Sequence, residues 1–123
     1  MLIVVDGANV VGSRPDGWWR DRAGAAGRLR DALAAAGPGA LPGAPDDTTL
    51  VLVVEGAARG VSGTPGVRVV AAPRSGDDAI VDLVRDAVED DEVVVVTADR
   101  GLRDRVTALG AQVVGPSALR IHR

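Results

Sequence analysis

Continuous apolar runs mark three segments of this chain as strands that are buried on both faces of a sheet. The runs cover residues 2–5, 49–54 and 93–96. A strand with one buried face alternates apolar and polar residues, whereas unbroken runs are typical of parallel sheets covered by helices. Weaker apolar segments at 67–72 and 112–114 predict two further strands.

Apolar residues at helical spacing occur between these strands. They predict helices over residues 18–36, from 75–78 to about 90, and around 102–109. The segments 10–17 and 37–47 are rich in Gly and Pro or Asp, which predicts loops. Strands that alternate with helices predict an α/β fold with a parallel sheet covered on both faces.

Acidic residues follow the carboxyl ends of the predicted strands. In an open α/β sheet, ligands bind just beyond these ends, so the acidic side chains are expected to lie together. Gly7 lets the backbone turn after the first strand, and Asn9 adds an uncharged oxygen. The acidic residues in this pattern are Asp6, Glu55, Asp77 with Asp78, and Asp99.

Helical spacing assigns Asp77 and Asp78 to different faces of one predicted helix. Asp77 is in line with the apolar positions Val81 and Val84, and is expected to point toward the sheet. Asp78 falls on the opposite, solvated side with Asp82. An unpaired carboxylate that faces the sheet is costly, which makes Asp77 the more informative of the two.

Carboxylates gathered at one edge repel one another, and a bound hard cation relieves that repulsion. The chain has no Cys, and its single histidine, His122, reads as an ordinary tail residue. An all-oxygen ligand set suits Mg²⁺ or Mn²⁺ better than Zn²⁺. Such a site supports hydrolysis of a phosphodiester by a metal-activated water.

Each acid also has a structural interpretation. Asp and Glu are favoured in the first turn of a helix, and Ser75 with Asp78 resembles a capping box. Asp99 could likewise cap the helix that follows it. The recurrence of acids after successive strands favours a functional site over four separate caps.

Length and composition indicate one domain, residues 1–123, in the cytoplasm. A chain of 123 residues is long enough to bury a substantial core. The absence of Cys is compatible with a reducing compartment. No apolar run approaches membrane-spanning length, so a membrane partner is not expected.

The charge distribution is uneven although the net charge is only −3. Residues 14–30 contain five Arg and two Asp, whereas residues 77–92 contain eight acids and one Arg. Surplus arginines are suited to phosphate contacts, and an exposed tryptophan can stack on a base. One of the two tryptophans is expected to join the core. The candidate RNA contacts are Arg14, Trp18, Trp19, Arg20, Arg22 and Arg100.

Four segments resemble the successive motifs of NYN domains, the branch of PIN-like nucleases that includes the bacterial YacP-type proteins. They are VVDGANVV at 4–11, VVEG at 53–56, SGDDAIVDLV at 75–84 and VVVVTADRGL at 93–102. The sequence differs from the family pattern at two positions. Glu55 stands where YacP-type proteins usually have Asp, and Gly101 stands where many PIN nucleases have an acid.

The resemblance implies a PIN-like three-layer α/β/α sandwich with strand order 3-2-1-4-5, and metal-dependent ribonuclease activity. We expect an endoribonuclease, which cleaves internal phosphodiester bonds of RNA. The resemblance also implies that Asp6, Asp77 and Asp99 are metal ligands, that Asn9 organises the site, and that Asp78 is an auxiliary group at the metal. Glu55 is expected to be an auxiliary residue that shapes or extends the site. Two alternatives remain: an RNA-binding module with a residual metal site, and a nucleotide phosphohydrolase. A homodimer and association with the ribosome are compatible with the sequence.

Overall fold

The computed structural model describes residues 1–14 and 16–121, so Pro15 of the predicted loop and the tail residue His122 lie outside the described residues. All five strands pair in parallel, in the order β3-β2-β1-β4-β5. This confirms the predicted order 3-2-1-4-5, and the sheet is wholly parallel. The strands are β1 (Leu2–Asp6), β2 (Thr49–Val54), β3 (Arg68–Ala71), β4 (Val93–Val96) and β5 (Gln112–Val114).

Helices cover both faces of the sheet, which gives the predicted three layers. Helices α1 and α2 pack on one face, and α3 and α4 pack on the other. Within residues 1–14 and 16–121, none of the helices is long and apolar enough to cross a membrane. The helices are α1 (Gly7–Gly12), α2 (Arg22–Ala36), α3 (Gly76–Ala87) and α4 (Arg100–Ala108).

The central strand β1 has two buried faces because its side chains alternate between two cores. Ile3 and Val5 pack in the core beneath α1 and α2, while Val4 packs in the core beneath α3 and α4. All three side chains are fully buried. A strand in this position needs apolar residues at every position, which is the pattern seen at residues 2–5.

The prediction of a loop over residues 10–17 was wrong in its first part, because helix α1 covers Gly7–Gly12. This helix is short and contains poor helix formers, including Gly7 and Asn9. Val10 and Val11 anchor it by packing into the core with α2. Tertiary packing therefore determines this helix, and local propensity does not.

The single helix predicted over residues 18–36 is divided in the structure. A short 3₁₀ segment covers Trp18–Arg20, and α2 begins only after Asp21. The Asp21 carboxylate accepts a hydrogen bond from the Gly24 backbone N–H at 2.9 Å and caps the helix. Gly is a poor helix former, and here Gly24 lies in the first turn of α2, where its N–H is bonded by the cap. Helix α3 likewise ends at Ala87, shortly before the predicted end at about 90.

Gly7 lets α1 lie directly against the backbone of β2. A β-carbon at this position would come within 2.5 Å of the Val53 carbonyl oxygen and 3.2 Å of the Leu52 side chain. Because the nearer atom belongs to the backbone of a central strand, it has little freedom to move away. The contact holds the turn that follows Asp6 close to the end of β2.

Candidate active site

Asp6 is the most deeply buried acid in the predicted set, with 5 % of its surface exposed at the carboxyl end of β1. One carboxylate oxygen accepts a hydrogen bond from the Thr97 hydroxyl at 2.9 Å. The other accepts a longer one, 3.3 Å, from the backbone N–H of Asn9. These contacts fix the side chain at the edge of the sheet, where β1 ends beside β4.

Thr97 is a residue of this site that the sequence reasoning did not identify. Its buried hydroxyl donates to Asp6 and accepts a hydrogen bond from the Asp99 backbone N–H at 3.1 Å. A single side chain therefore links the ends of β1 and β4. The available signal was a polar residue closing the apolar run 93–96, two positions before an aspartate.

Asn9 makes a second link between the same two segments. Its side-chain oxygen accepts a hydrogen bond from the Ala98 backbone N–H at 2.8 Å. Asn9 therefore holds α1 against the connection between β4 and α4. A site-organising role for Asn9 stays a prediction.

Glu55 joins the end of β2 to the beginning of α3. Its carboxylate accepts a hydrogen bond from the Gly76 backbone N–H at 2.6 Å. A carboxylate at a helix N-terminus also interacts favourably with the helix dipole. Since Asp77 is the next residue after Gly76, Glu55 fixes the part of α3 that presents Asp77.

The two adjacent aspartates of α3 lie in different environments, as the helical spacing predicts. Asp77 is half-buried, whereas Asp78 is exposed and its carboxylate lies 3.0 Å from a guanidinium nitrogen of Arg105. Ser75 caps the helix by accepting a hydrogen bond from the Asp78 backbone N–H at 3.2 Å. The first half of the predicted capping box is thus present, and a metal-binding role for Asp78 stays a prediction.

Asp99 caps helix α4, as its structural interpretation predicts. One of its carboxylate oxygens accepts a hydrogen bond from the Leu102 backbone N–H at 2.9 Å. This cap uses one of the two oxygens, and the residue is exposed. Capping and ligand binding are therefore compatible roles for Asp99.

Four carboxylates are coupled at this edge of the sheet, and we call Asp6, Glu55, Asp77 and Asp99 the carboxylate edge. Burial raises the pKa of Asp6 above its usual range; the hydrogen bonds from Thr97 and Asn9 oppose this, and the negative charges of Asp77 and Glu55 add to it. Burial also raises the pKa of Asp77, and the charges of Asp99 and Glu55 raise it further.

Arg105 opposes the rise in the pKa of Asp77, which makes this arginine a second residue that the sequence reasoning did not identify. Its guanidinium group pairs with Asp78 at the surface. The raised pKa values of Asp6 and Asp77 mean that their ionised forms are disfavoured in the folded protein. A positive charge bound at the carboxylate edge would favour the ionised forms.

The donors at this edge suit a hard divalent ion that keeps much of its water. Within the described ranges, no group of three acidic side chains converges closely enough to enclose a metal. Mg²⁺ commonly binds proteins through one or two carboxylates and retains several waters, so an enclosed cage is not required. The excess of negative charge on carboxylate oxygens fits such an ion.

The two tryptophans lie in different environments. Trp18 is half-buried against the core, while Trp19 is 55 % exposed. The Arg22 guanidinium lies 5.4 Å from the centre of the Trp18 ring, and that of Arg20 lies 5.6 Å from the Trp19 ring. One tryptophan therefore joins the core as predicted, and contact of either with RNA stays a prediction.

The other two candidate RNA contacts are exposed at separate places. Arg14 follows α1, and Arg100 is the first residue of α4, directly after Asp99. Arg100 and Arg103 line a shallow groove along the outer face of α4. Among residues 1–14 and 16–121, the guanidinium groups of Arg14 and Arg100 have no ion pair, so each can meet solvent or a phosphate.

The raised pKa of Asp77 predicts that the Asp77→Asn variant, free of metal, unfolds at a higher temperature than the wild type near neutral pH. A carboxyl group whose pKa is raised by folding contributes stability below its unfolded pKa, and this is lost as the pH rises through the folded pKa. The difference should therefore shrink as the pH falls toward 3.8, the ordinary value for Asp. Thermal unfolding in chelator across this range measures it.

A matched control for this measurement is Asp86→Asn, which removes the same charge from an exposed position of the same helix. We expect a smaller gain at neutral pH from this variant. Equal gains would attribute the effect to the net charge of the protein and not to the carboxylate edge.

The sequence matches no protein-family model, and no curated protein matches it at a significant level. A search of solved structures finds a crystal structure of a mutant form of Rae1 (YacP) from Bacillus subtilis. The match has a TM-score of 0.74 at 16 % sequence identity, and covers 95 % of this chain and 70 % of that chain. The fold of this chain is therefore that of a YacP-type protein, which confirms the predicted NYN, PIN-like resemblance at the level of the fold.

Proposed function

We propose that this protein is a ribonuclease that uses Mg²⁺ or Mn²⁺ to hydrolyse internal phosphodiester bonds of RNA. The observation that carries the proposal is the carboxylate edge: buried Asp6 is electrostatically coupled to Glu55 and Asp77, and Asp77 is coupled to Asp99. Perturbed carboxylates that gather at the carboxyl ends of parallel strands are typical of an active site. The shared fold with a YacP-type protein supports the same class of function.

Asp6, Asp77 and Asp99 would hold the ion, directly or through the waters that it retains, with Asp78 as an auxiliary group. When bound, the ion supplies an activated water and stabilises negative charge on the leaving oxygen. Thr97 and Asn9 position Asp6 and the turn that carries Asp99. Glu55 positions the first turn of α3, which carries Asp77.

The RNA strand would reach this edge past the arginines that flank it. Arg22 and Arg100 are exposed on the first turns of α2 and α4, on opposite sides of the sheet. Guanidinium groups at these places would neutralise phosphates that otherwise meet the repulsion of the carboxylate edge.

A second candidate is an RNA-binding module that keeps a weak metal site and does not cleave. The observation that favours it is the use of two carboxylates as backbone caps, Glu55 at α3 and Asp99 at α4. A protein that needs these groups only for structure could retain them after losing catalysis.

Cleavage of a labelled pool of single-stranded RNA in Mn²⁺, with and without chelator, tests the proposal. Internal fragments that appear only without chelator are the expected result. Binding of the RNA without fragments would favour the RNA-binding module. Phosphate release from free nucleotides with intact RNA would favour a nucleotide phosphohydrolase.

A further inference from the structure

A cleft of about 320 Å³ lies on the α1 and α2 side of the sheet, next to the carboxylate edge. We call it the Trp18 cleft, because the half-buried ring of Trp18 lines it. Val11, Ala26 and Ala58 are among the apolar residues that line it with Trp18. The volume is close to the lower end of small-molecule pockets, about 300–1,000 Å³, which suits one nucleotide unit better than a dinucleotide cofactor.

Glu55 connects the Trp18 cleft with the carboxylate edge. It lines the cleft, and its carboxylate accepts a hydrogen bond from the backbone N–H of Gly76, the residue before Asp77. Gly7 also lines the cleft and directly follows Asp6 in the chain. A ligand in the cleft would therefore be a near neighbour of a phosphate placed at the carboxylate edge.

Among the described residues that line the cleft, Arg22 and Arg74 are the basic ones and Glu55 is the acidic one. In the described part of the chain, neither arginine has an ion pair or a side-chain hydrogen bond with another residue. The Glu55 carboxylate is already engaged by the Gly76 backbone. The cleft thus offers two cations beside an apolar, aromatic surface, in a protein whose net charge is −3.

We infer that the Trp18 cleft holds one unpaired base of an RNA strand, whose adjoining phosphate contacts Arg22 and Arg74. A flat ring that is joined to an anion matches an apolar wall with two guanidinium groups, and stacking on an aromatic side chain accepts any base. The base must be unpaired to enter a cleft of this size, so the strand is single-stranded there. This inference rests on the proposed function, which makes RNA the substrate at the neighbouring edge.

The fluorescence of Trp18 reports occupancy of the cleft without any need for cleavage. The chain has two tryptophans, so the Trp19→Leu variant, altered at an exposed position, leaves Trp18 as the single emitter. Titration with a short single-stranded RNA in chelator should quench this emission. The same RNA annealed to its complement should quench it at least about tenfold less effectively, because its bases are stacked and paired.

Arg74→Gln, made in the Trp19→Leu protein, tests the phosphate contact. Arg74 is preferred to Arg22 because Arg22 lies over the Trp18 ring, and its loss would alter the reporter itself. We expect the dissociation constant for the single strand to rise about tenfold, the usual effect of losing a hydrogen bond to a charged group. Arg68→Gln is the matched control: Arg68 is exposed on β3, lies outside the cleft, and carries the same charge.

Ala8→Leu provides a second variant that does not depend on charge. Ala8 lines the cleft from an exposed position on α1, so a larger side chain there narrows the cleft without entering the core. Weaker quenching with an unchanged unfolding temperature is the expected result.

The inference would be overturned by no quenching with single-stranded RNA, by equal quenching with the duplex, or by equal losses for Arg74→Gln and Arg68→Gln. A nucleoside monophosphate that binds as tightly as the strand would also overturn it, because the cleft would then be a site for free nucleotides. Failure of the inference can be told apart from failure of the proposed function. If the quenching is as expected but the protein does not cut RNA, the inference about the Trp18 cleft stands and the proposed ribonuclease function is wrong.

Discussion

Replacing Asp77 by Asn should lower Mn²⁺-dependent cleavage of RNA by about 100-fold or more, the loss expected when a group that stabilises transition-state charge is removed. Asparagine keeps the shape of the side chain, so the change is mainly electrostatic. Asp77 is half-buried, and the charges of Asp99 and Glu55 act on it, as expected of a ligand to the proposed metal ion. Rates of fragment formation at saturating Mn²⁺ measure the effect.

Asp78→Asn is the matched control, since it removes the same charge from the neighbouring residue. Asp78 is exposed and pairs with Arg105, and such surface ion pairs contribute roughly 0–1 kcal/mol to stability. We expect a loss of cleavage below about tenfold, which corresponds to less than about 1.4 kcal/mol. If Asp78→Asn abolishes cleavage and Asp77→Asn retains it, the site is built around Asp78 and not around Asp77. Small, equal losses would remove the main support for a nuclease.

Gly7→Ala should destabilise the protein by roughly 1–3 kcal/mol, the usual cost of forcing extra volume into a packed interior. The new methyl group would lie 2.5 Å from the Val53 carbonyl oxygen, so α1 must move away from β2. That movement also displaces Asn9, which holds the connection after β4. We therefore expect a loss of cleavage together with the loss of stability, both measured on the purified variant, the latter by chemical denaturation.

Gly12→Ala supplies the comparison for Gly7, because it adds the same methyl group to the other end of α1. At this position the methyl would lie 3.6 Å from the Trp18 ring, an ordinary contact distance. Its effect on stability should stay within about 1 kcal/mol of the wild type, the size of the difference in helix propensity between Gly and Ala. Similar losses at both positions would show that α1 tolerates no added side chain and that Gly7 is not special.

The sheet could be predicted from the sequence because its central strands are buried on both faces. Residues 49–54 and 93–96 are apolar almost throughout, and the structure places strands over these same ranges. The helical phase that separates Asp77 from Asp78 could also be read, since α3 has one regular apolar face made by Ile80, Val81 and Val84.

The parts that could not be predicted depend on contacts between distant segments. Helix α1 has weak intrinsic propensity and exists because Val10 and Val11 pack beneath α2. Thr97 reads as an ordinary strand residue until its hydroxyl is seen between Asp6 and Asp99. The bond from Gly76 to Glu55 depends on a distance between two elements, and no local pattern in the sequence reports such a distance.

The hydrogen bonds that hold Asp6 and Asn9 have a consequence for the protein while it is being made. Their partners lie 91 and 89 positions further along the chain. At about 5–20 residues per second, the ribosome takes several seconds to make that stretch. Because β4 must also emerge and pair with β1 before these bonds can form, the proposed RNA-cutting site is absent from every shorter nascent chain. If the proposed function holds, the message under translation lies beside a product whose site has not yet formed.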